Sequence, residues 1–226
     1  MGLKYNIYLD GKFVKETTSL STIVDGLEVE TEYSVSVSET DGEKESKQTS
    51  PIKFKTLPNP NLLPNTDFIN GMGNWISYPN ASSFEILNAE SDKPNSKIIH
   101  AQAVSQTNQQ CYLKPHNILV YPGEEYTVSF DYKDSNWSKT TTVAQIRITK
   151  TADDNSALEY FPVNVTEAVP NWKRLKTTFT VTTAGFLSFN FYDNDGTGNH
   201  EGFFREAKVE EGNTATSWIP AESDLI

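Results

Sequence analysis

Apolar and polar residues alternate along almost the whole chain, and this pattern predicts β-strands. The alternation is clear in YNIYL, YSVSVS and IKFKT, and later in EYTVSFDY, VAQIRIT and FLSFNFY. A period of two residues places successive side chains on opposite faces of a strand. Helical periodicity is almost absent. We therefore expect an all-β protein with less than about 10% helix, against a typical one-third in globular proteins.

The segment TLPNPNLLPN divides the chain. Its prolines and asparagines cannot sustain a strand ladder or a helix, so they predict a short, stiff linker. Strand-like stretches occur on both sides of it. We expect a small β domain over residues 1–57, a linker over residues 58–64 and a larger β domain over residues 65–226.

Charge and motif content exclude several classes of function. The chain of 226 residues has 30 Asp and Glu against 19 Lys and Arg, a net charge of −11. This balance argues against a nucleic-acid partner, which needs a basic face, and against an anionic membrane surface. The single cysteine, Cys111, allows no intrachain disulfide and is expected to be a buried apolar side chain. No nucleophile elbow, HExxH sequence or phosphate loop is present, and we expect a protein that is not an enzyme.

The stretches KYNIYLDGKFV, GLEVETEYSVSVSE and SPIKFKT resemble the second half of a fibronectin type III domain. The resemblance implies a partial β-sandwich in which the Tyr33 hydroxyl bonds back to the backbone at a corner. The first two strands of that family have no counterpart here. Either the chain is a fragment of a longer polypeptide, or another chain supplies the missing strands.

The second segment resembles the jelly-roll carbohydrate-binding modules that bind xylan and β-glucan, in the form common in bacteriophage tail and baseplate proteins. The resemblance is carried by NLLPNTDFINGMGNWI, VYPGEEYTVSFDYK, PNWKRLKTTFTV, GFLSFNFYD and KVEEGNTATSWIPAESD. It implies a jelly-roll β-sandwich whose last strand lies beside EYTVSF. It also implies structural roles for Trp75, Trp172 and Trp218, with Trp218 capping the core, and leaves Trp137 unassigned.

The same resemblance places CYLKP, FLSFNFY, TVAQIRIT and ALEYF in one sheet. Alternation directs the apolar residues of the first three strands inward, whereas ALEYF fits either phase. Saccharides are recognised by aromatic rings that stack on the sugar and by polar groups that bond its hydroxyls. The outward side chains and a nearby loop then predict these ligand-binding residues: Tyr112, Trp137, Gln145, Arg147, Asn190 and Tyr192. The alternative is an ordinary solvated face.

The loop DNDGTGNHE offers weak candidate ligands for calcium: Asp193, Asp195 and Glu201. Carboxylate oxygens suit calcium, but the spacing does not match an EF-hand. A plain Asn/Asp/Gly turn is favoured. Related modules often carry a structural calcium near the chain ends, so the resemblance allows one here. No other cofactor is expected.

These observations predict a non-catalytic saccharide-binding accessory protein of a phage tail or baseplate. Its expected location is the virion, outside the cell, and its expected partners are a host cell-wall or surface saccharide and other tail proteins. Neither nucleic acid nor membrane is an expected partner. One alternative is a purely structural decoration or adaptor of the tail. A second is a carbohydrate-binding fragment of a secreted glycan-degrading enzyme.

Overall fold

The computed structural model describes residues 2–78, 84–101, 109–154, 156–193 and 199–225. The chain divides into two compact units, Met1–Asn59 and Pro60–Ile226. The all-β prediction is confirmed, because the one helical element in the described ranges is a 3-10 turn at Glu222–Leu225. Among the same residues, no helix is long and apolar enough to span a membrane.

The first unit is built on one antiparallel sheet with the strand order β2-β1-β3-β4. Its strands are β1 (Lys4–Leu9), β2 (Lys12–Thr17), β3 (Glu32–Thr40) and β4 (Ile52–Lys55). Ile7, opposite Val37, is the only buried hydrophobic side chain among its described residues. Leu20 and Ile23, in the segment between β2 and β3, are 92% and 73% exposed. The unit therefore leaves much apolar surface in contact with water.

Tyr33 makes the corner hydrogen bond that the sequence predicts. The backbone N–H of Glu28 donates to the Tyr33 hydroxyl oxygen at 2.9 Å. The Tyr33 ring also lies 5.9 Å from that of Phe54, its partner across β3 and β4. The described residues of this unit form one sheet, and the wider likeness to a fibronectin type III domain stays a prediction.

The second unit is a jelly-roll β-sandwich, as predicted. One sheet has the order β13-β10-β15-β7-β6. Its strands are β6 (Phe84–Leu87), β7 (Ile98–Ala101), β10 (Glu125–Ser135), β13 (Lys173–Thr180) and β15 (Glu201–Glu211). The other has the order β12-β11-β14-β8-β5, with β9 also paired to β14. Its strands are β5 (Trp75–Tyr78), β8 (Gln109–Leu113), β9 (Ile118–Val120), β11 (Thr141–Thr149), β12 (Ala157–Val165) and β14 (Gly185–Asp193).

The two sheets meet through aromatic side chains. Phe130 on β10 lies 6.0 Å from Phe189 on β14, measured between ring centroids. Phe204 on β15 lies 5.0 Å from Phe191, and Trp75 lies 5.4 Å from the same ring. All five side chains are buried, and rings at these separations pack favourably when tilted or edge-on. The core therefore sits between the sheets and leaves both outer faces for other roles.

Trp75 belongs to the core, whereas Trp172 and Trp218 make their structural contacts outside it. Trp172 is half-buried against the Arg205 and Lys133 side chains, on the outer side of the five-stranded sheet. Trp218 is half-buried, and its Nε1 donates to Thr66 Oγ1 at 3.0 Å. An indole N–H needs an acceptor when it is covered, and both residues find one outside the apolar core.

The predicted linker ends earlier than expected. Asn61 is buried, and its Oδ1 accepts hydrogen bonds from the N–H groups of Leu63 and Val209. The Leu62 N–H donates to the Val209 carbonyl at 2.8 Å, and Leu63 belongs to the core. These contacts attach the segment to β15, which lies between β10 and β7 and therefore, as predicted, beside the strand that carries EYTVSF. The second unit therefore starts inside the segment assigned to the linker.

Candidate functional site

The outward side of the six-stranded sheet carries five of the six predicted ligand-binding residues. Strands β8, β11 and β14 supply Tyr112, Gln145, Arg147, Asn190 and Tyr192. Gln145 lies opposite Asn190, which in turn lies opposite Tyr112, so these three form one row across the sheet. We call the surface made by the outward residues of β5, β8, β11, β12 and β14 the tyrosine face.

Burial confirms the predicted inward and outward directions of the side chains on β8, β11 and β14. Cys111, Ile146 and Phe189 are at most 1% exposed and point into the core, so their neighbours point outward. The structure also shows which side chains of β12 face the core, a question that the sequence left open. Phe161 packs inward with its ring 4.5 Å from that of Phe179, and Tyr160 is 47% exposed on the tyrosine face.

A hydrogen-bonded layer of polar side chains lies on this face. Arg147 donates from Nε and Nη2 to the Gln145 Oε1 atom, at 3.1 and 2.5 Å. The Ser188 hydroxyl donates to Asn190 Oδ1 at 2.9 Å, and Asn190 Nδ2 donates to Gln110 Oε1 at 3.4 Å. These bonds fix the orientation of amide groups that would otherwise rotate freely.

Three predicted contact residues are more covered than expected. Gln145, Asn190 and Tyr192 are 3%, 2% and 4% exposed, although they point away from the core. The expectation that all outward residues are open to solvent is therefore wrong for these three, because side chains around them cover them. Arg147 and Tyr112 remain half-exposed. The covered residues are suited to holding their neighbours in place.

The most exposed aromatic side chains of the tyrosine face were not predicted. Tyr160 on β12 is 47% exposed, and Tyr78 and Ile76 on β5 are 54% and 41% exposed. β12 and β5 are the two edges of the sheet, separated by four strand spacings or roughly 19 Å. The alternation of inward and outward side chains in the short strand WISY could have predicted that Tyr78 points outward. Exposed aromatic rings thus flank the polar layer on both sides.

Two tyrosine hydroxyls of this face, those of Tyr160 and Tyr192, stay protonated at neutral pH. Burial raises the pKa of Tyr160 and of Tyr192 above the ordinary value. For Tyr192, a hydrogen bond with the Gln145 side chain and the positive charge of Arg147 lower the pKa and oppose this effect. A protonated hydroxyl both donates and accepts hydrogen bonds, which suits the recognition of polar ligands.

Trp137 is less open than a ligand-stacking residue needs to be, and the two predicted tyrosines are diagonal neighbours. Trp137 is half-buried and packs against the hydrophobic core, and no acceptor among the described residues is within hydrogen-bonding distance of its Nε1. It is therefore not an open platform. Tyr112 lies opposite Asn190 and Tyr192 lies opposite Gln110, so the two tyrosines are diagonal neighbours and not directly paired.

Two of the three candidate calcium ligands, Asp193 and Glu201, lie on strands of different sheets. Asp193 Oδ2 lies 3.0 Å from His200 Nδ1, and both side chains are buried. Glu201 is on the other sheet, where it accepts a hydrogen bond from the Ser135 hydroxyl at 3.1 Å. Asp195 lies outside the described residues. Within the described part of the chain, no group of three or more His, Cys, Asp or Glu residues is positioned to hold a metal, and a structural calcium stays a prediction.

Cys111 has the chemistry of a core residue. It is a free cysteine with no solvent exposure, on the inward side of β8. Burial raises the pKa of its thiol far above the ordinary value. Because the thiolate is the nucleophilic form, this cysteine is inert under ordinary conditions.

Comparison with known proteins finds one protein of similar sequence and two solved structures of similar fold. A tail fibre protein of Enterococcus phage phiEF24C is 34% identical over 173 residues, a match that covers 73% of this chain. The chain spans only 9% of the length of that relative. An arabinose-bound α-L-arabinofuranosidase, MgGH51, has a TM-score of 0.55 at 13% identity, over 70% of this chain and 27% of the enzyme. The enzymatically active domain of tailspike protein 4 from bacteriophage CBA120 has a TM-score of 0.51 at 13% identity, over 67% of this chain and 21% of that domain.

The two solved structures show likeness of fold alone, because their sequence identity to this chain is low.

A family model described as a carbohydrate-binding domain matches residues 60–196. The matched range is more than half of the chain and lies within the second unit, where it includes most of the sandwich and most of the tyrosine face. The chain therefore belongs to the carbohydrate-binding domain family.

Proposed function

We propose that the second unit binds saccharide on the tyrosine face, without catalysis, as part of a phage tail fibre exposed on the virion. One observation carries the proposal: exposed Tyr78 and Tyr160 flank a row of hydrogen-bonded polar side chains on the outer side of one sheet. This combination matches the chemistry of sugars, which have apolar C–H faces and a rim of hydroxyl groups.

Different residues have different roles in this proposal. Tyr78 and Tyr160 stack on the sugar rings, with Tyr112 between them on β8. Arg147 bonds sugar oxygens, while Gln145 holds the guanidinium in place through its Oε1 atom. Asn190 and Tyr192 support this layer from below, as their burial indicates. A site that is ordered before binding loses less conformational entropy when the ligand arrives.

The tail assignment is supported by the relative in Enterococcus phage phiEF24C. Tail fibres act in several copies on one particle, and multiple weak contacts to a surface polymer raise the overall affinity through effective concentration. We accordingly propose that the ligand is a saccharide of the host cell wall or cell surface. Other tail proteins are the proposed partners of the rest of the chain.

The test compares tyrosine variants that differ only in position. We expect Tyr78→Ala and Tyr160→Ala each to weaken binding to a bacterial glycan array and to enterococcal cell walls, by about 1–2 kcal/mol or roughly tenfold. Tyr121→Ala is the matched control, since Tyr121 is 52% exposed and is on none of the strands that form the tyrosine face. The proposal fails if the double variant Tyr78→Ala with Tyr160→Ala binds as the wild type does. It also fails if the wild type binds no glycan and no cell wall.

A further inference from the structure

We infer that the saccharide bound by the tyrosine face carries acetamido groups, and that Tyr78, Ile76 and Gln110 form a subsite for one such group. This inference rests on the proposed function and specifies the class of its ligand. It depends on three side chains that the pairing of β5 with β8 brings together at one edge of the sheet.

The subsite combines an aromatic ring, an aliphatic side chain and an amide. Ile76 and Tyr78 lie two positions apart on the outward side of β5, a spacing of roughly 7 Å along a strand, and they are 41% and 54% exposed. Gln110 lies directly opposite Tyr78, and the Cβ atoms of such a pair are about 5 Å apart. One sugar residue with a substituent on its ring can therefore contact all three side chains.

The Gln110 amide supplies a hydrogen-bond donor. Its Oε1 accepts a hydrogen bond from Asn190 Nδ2 at 3.4 Å, and Asn190 is itself held by the Ser188 hydroxyl at 2.9 Å. Among the described residues, no hydrogen bond uses the Nε2 atom of the half-buried Gln110. An amide N–H group bonds well to a carbonyl oxygen. Gln110 is thus oriented to bond the carbonyl of an acetamido group.

Ile76 favours a methyl group at the same place. A sugar ring that stacks on Tyr78 directs some of its ring substituents toward the neighbouring Ile76 side chain. A hydroxyl there would lose contact with water without gaining a hydrogen bond, whereas a methyl group would bury apolar surface. The methyl of a 6-deoxy sugar meets only this requirement, because it brings no acceptor for the Gln110 amide. An acetamido group meets both.

The other edge of the tyrosine face repeats the combination. On β12, Pro162 is exposed two positions from Tyr160, which is 47% exposed. Pro162 lies opposite the amide-bearing residue Gln145. A ring, an aliphatic side chain and an amide are therefore neighbours at both edges. A polymer with acetamido groups on successive sugars would meet similar chemistry at each.

The experiment measures the affinity of the full chain for three oligosaccharides by isothermal titration calorimetry: N-acetylated chitohexaose, cellohexaose and a rhamnose hexasaccharide. The first two have the same backbone and differ in the acetamido group that replaces one hydroxyl of each ring. The variants are Ile76→Thr, which removes the aliphatic contact, and Gln110→Glu, which keeps an oxygen for Asn190 but removes the donor. Ile52→Thr is the matched control, because Ile52 is 69% exposed on β4 of the first unit. Thermal unfolding of each variant verifies that the fold is kept.

We expect chitohexaose to bind at least about tenfold more tightly than cellohexaose, from one hydrogen bond and one buried methyl group together. Ile76→Thr and Gln110→Glu should each lower the ratio of these two affinities by about three- to fivefold. Ile52→Thr should leave the ratio unchanged.

Three results would overturn the inference and leave the proposed function standing. They are cellohexaose or rhamnose binding as tight as that of chitohexaose, an unchanged ratio in either subsite variant, and cell-wall binding without binding of any of the three oligosaccharides. A wild-type protein that binds neither the oligosaccharides nor any glycan or cell wall counts against both.

Discussion

The guanidinium carbon of Arg205 lies 4.1 Å from the centre of the Trp172 ring, on the outer side of the five-stranded sheet. Arg205 also donates to both carboxylate oxygens of Asp92, at 3.0 and 2.6 Å. Trp172 Nε1 donates to Glu90 at 2.7 Å. Because the Arg205 side chain is only 2% exposed, this stack attaches the loop that carries Glu90 and Asp92 to β15.

Arg205→Ala is expected to lower the free energy of unfolding by about 3 kcal/mol, because the stack on Trp172 and the paired hydrogen bonds to Asp92 are lost. Asp131 keeps Arg174 as its remaining cation, at 3.2 Å. Urea unfolding of the full chain measures this loss. Lys173→Ala serves as the control, since the Lys173–Glu167 pair is exposed at 3.6 Å and should change stability by about 0.5 kcal/mol or less. Equal losses for the two variants would show that the stack contributes nothing.

The buried ion pair of Lys208 and Glu210 gives a second stability prediction. Lys208 Nζ also donates to Thr216 Oγ1 at 2.6 Å and to the Ser217 carbonyl at 2.9 Å, so it anchors the C-terminal segment. We expect Lys208→Met to cost about 3–5 kcal/mol, because the Glu210 carboxylate is left buried without its cation. Adding Glu210→Gln should recover part of the loss in chemical denaturation. A double variant no more stable than Lys208→Met would contradict this account.

The first unit should lose stability in acid through Glu45. Hydrogen bonds from Asn6, Ser38 and Tyr8 lower the pKa of Glu45 from 4.5 to about 2. A carboxylate with a lowered pKa in the folded state stabilises that state above pH 4.5, and the contribution disappears as the pH falls toward 2. Amide hydrogen exchange in β1 and β3 should therefore accelerate over this range. In Glu45→Gln the acceleration should be reduced; an unchanged pH profile would rule out this carboxylate as its source.

The two units should differ in their ability to fold alone. Residues 60–226 contain all but one of the buried hydrophobic side chains found in the described residues, and we expect this fragment to unfold cooperatively in urea. In the described residues 2–59, Ile7 is the one buried hydrophobic side chain, and Leu20, Ile23 and Leu57 are exposed. We therefore expect residues 1–59 to be unfolded or marginally stable. Amide NMR spectra of the two fragments test this. Sharp, well-dispersed signals from residues 1–59 would contradict it.

Strand membership and the inward or outward direction of side chains were predictable, because both follow from a two-residue period that is local in the chain. Alternation placed Ile146 and Phe189 in the core and Arg147 on the outer side, as the structure shows. Exposure was not predictable in the same way. Tyr192 and Tyr160 point to the same side, but one is 4% and the other 47% exposed. The difference depends on neighbours that are distant in sequence.

The sequence by itself determined the all-β class, the division near Pro60 and the phase of the strands that carry the proposed site. Only the tertiary structure decided the details that depend on pairing between strands. In β11 the pairing with β12 shifts between Thr142 and Ala144, and in β15 Glu206 adopts a φ of 53°, next to a shift in the pairing with β10. A bulge adds a residue to one strand and redirects the side chains that follow. The tertiary structure also decided whether an outward side chain is exposed to solvent. Its exposure depends on packing between strands that meet only when the chain is folded.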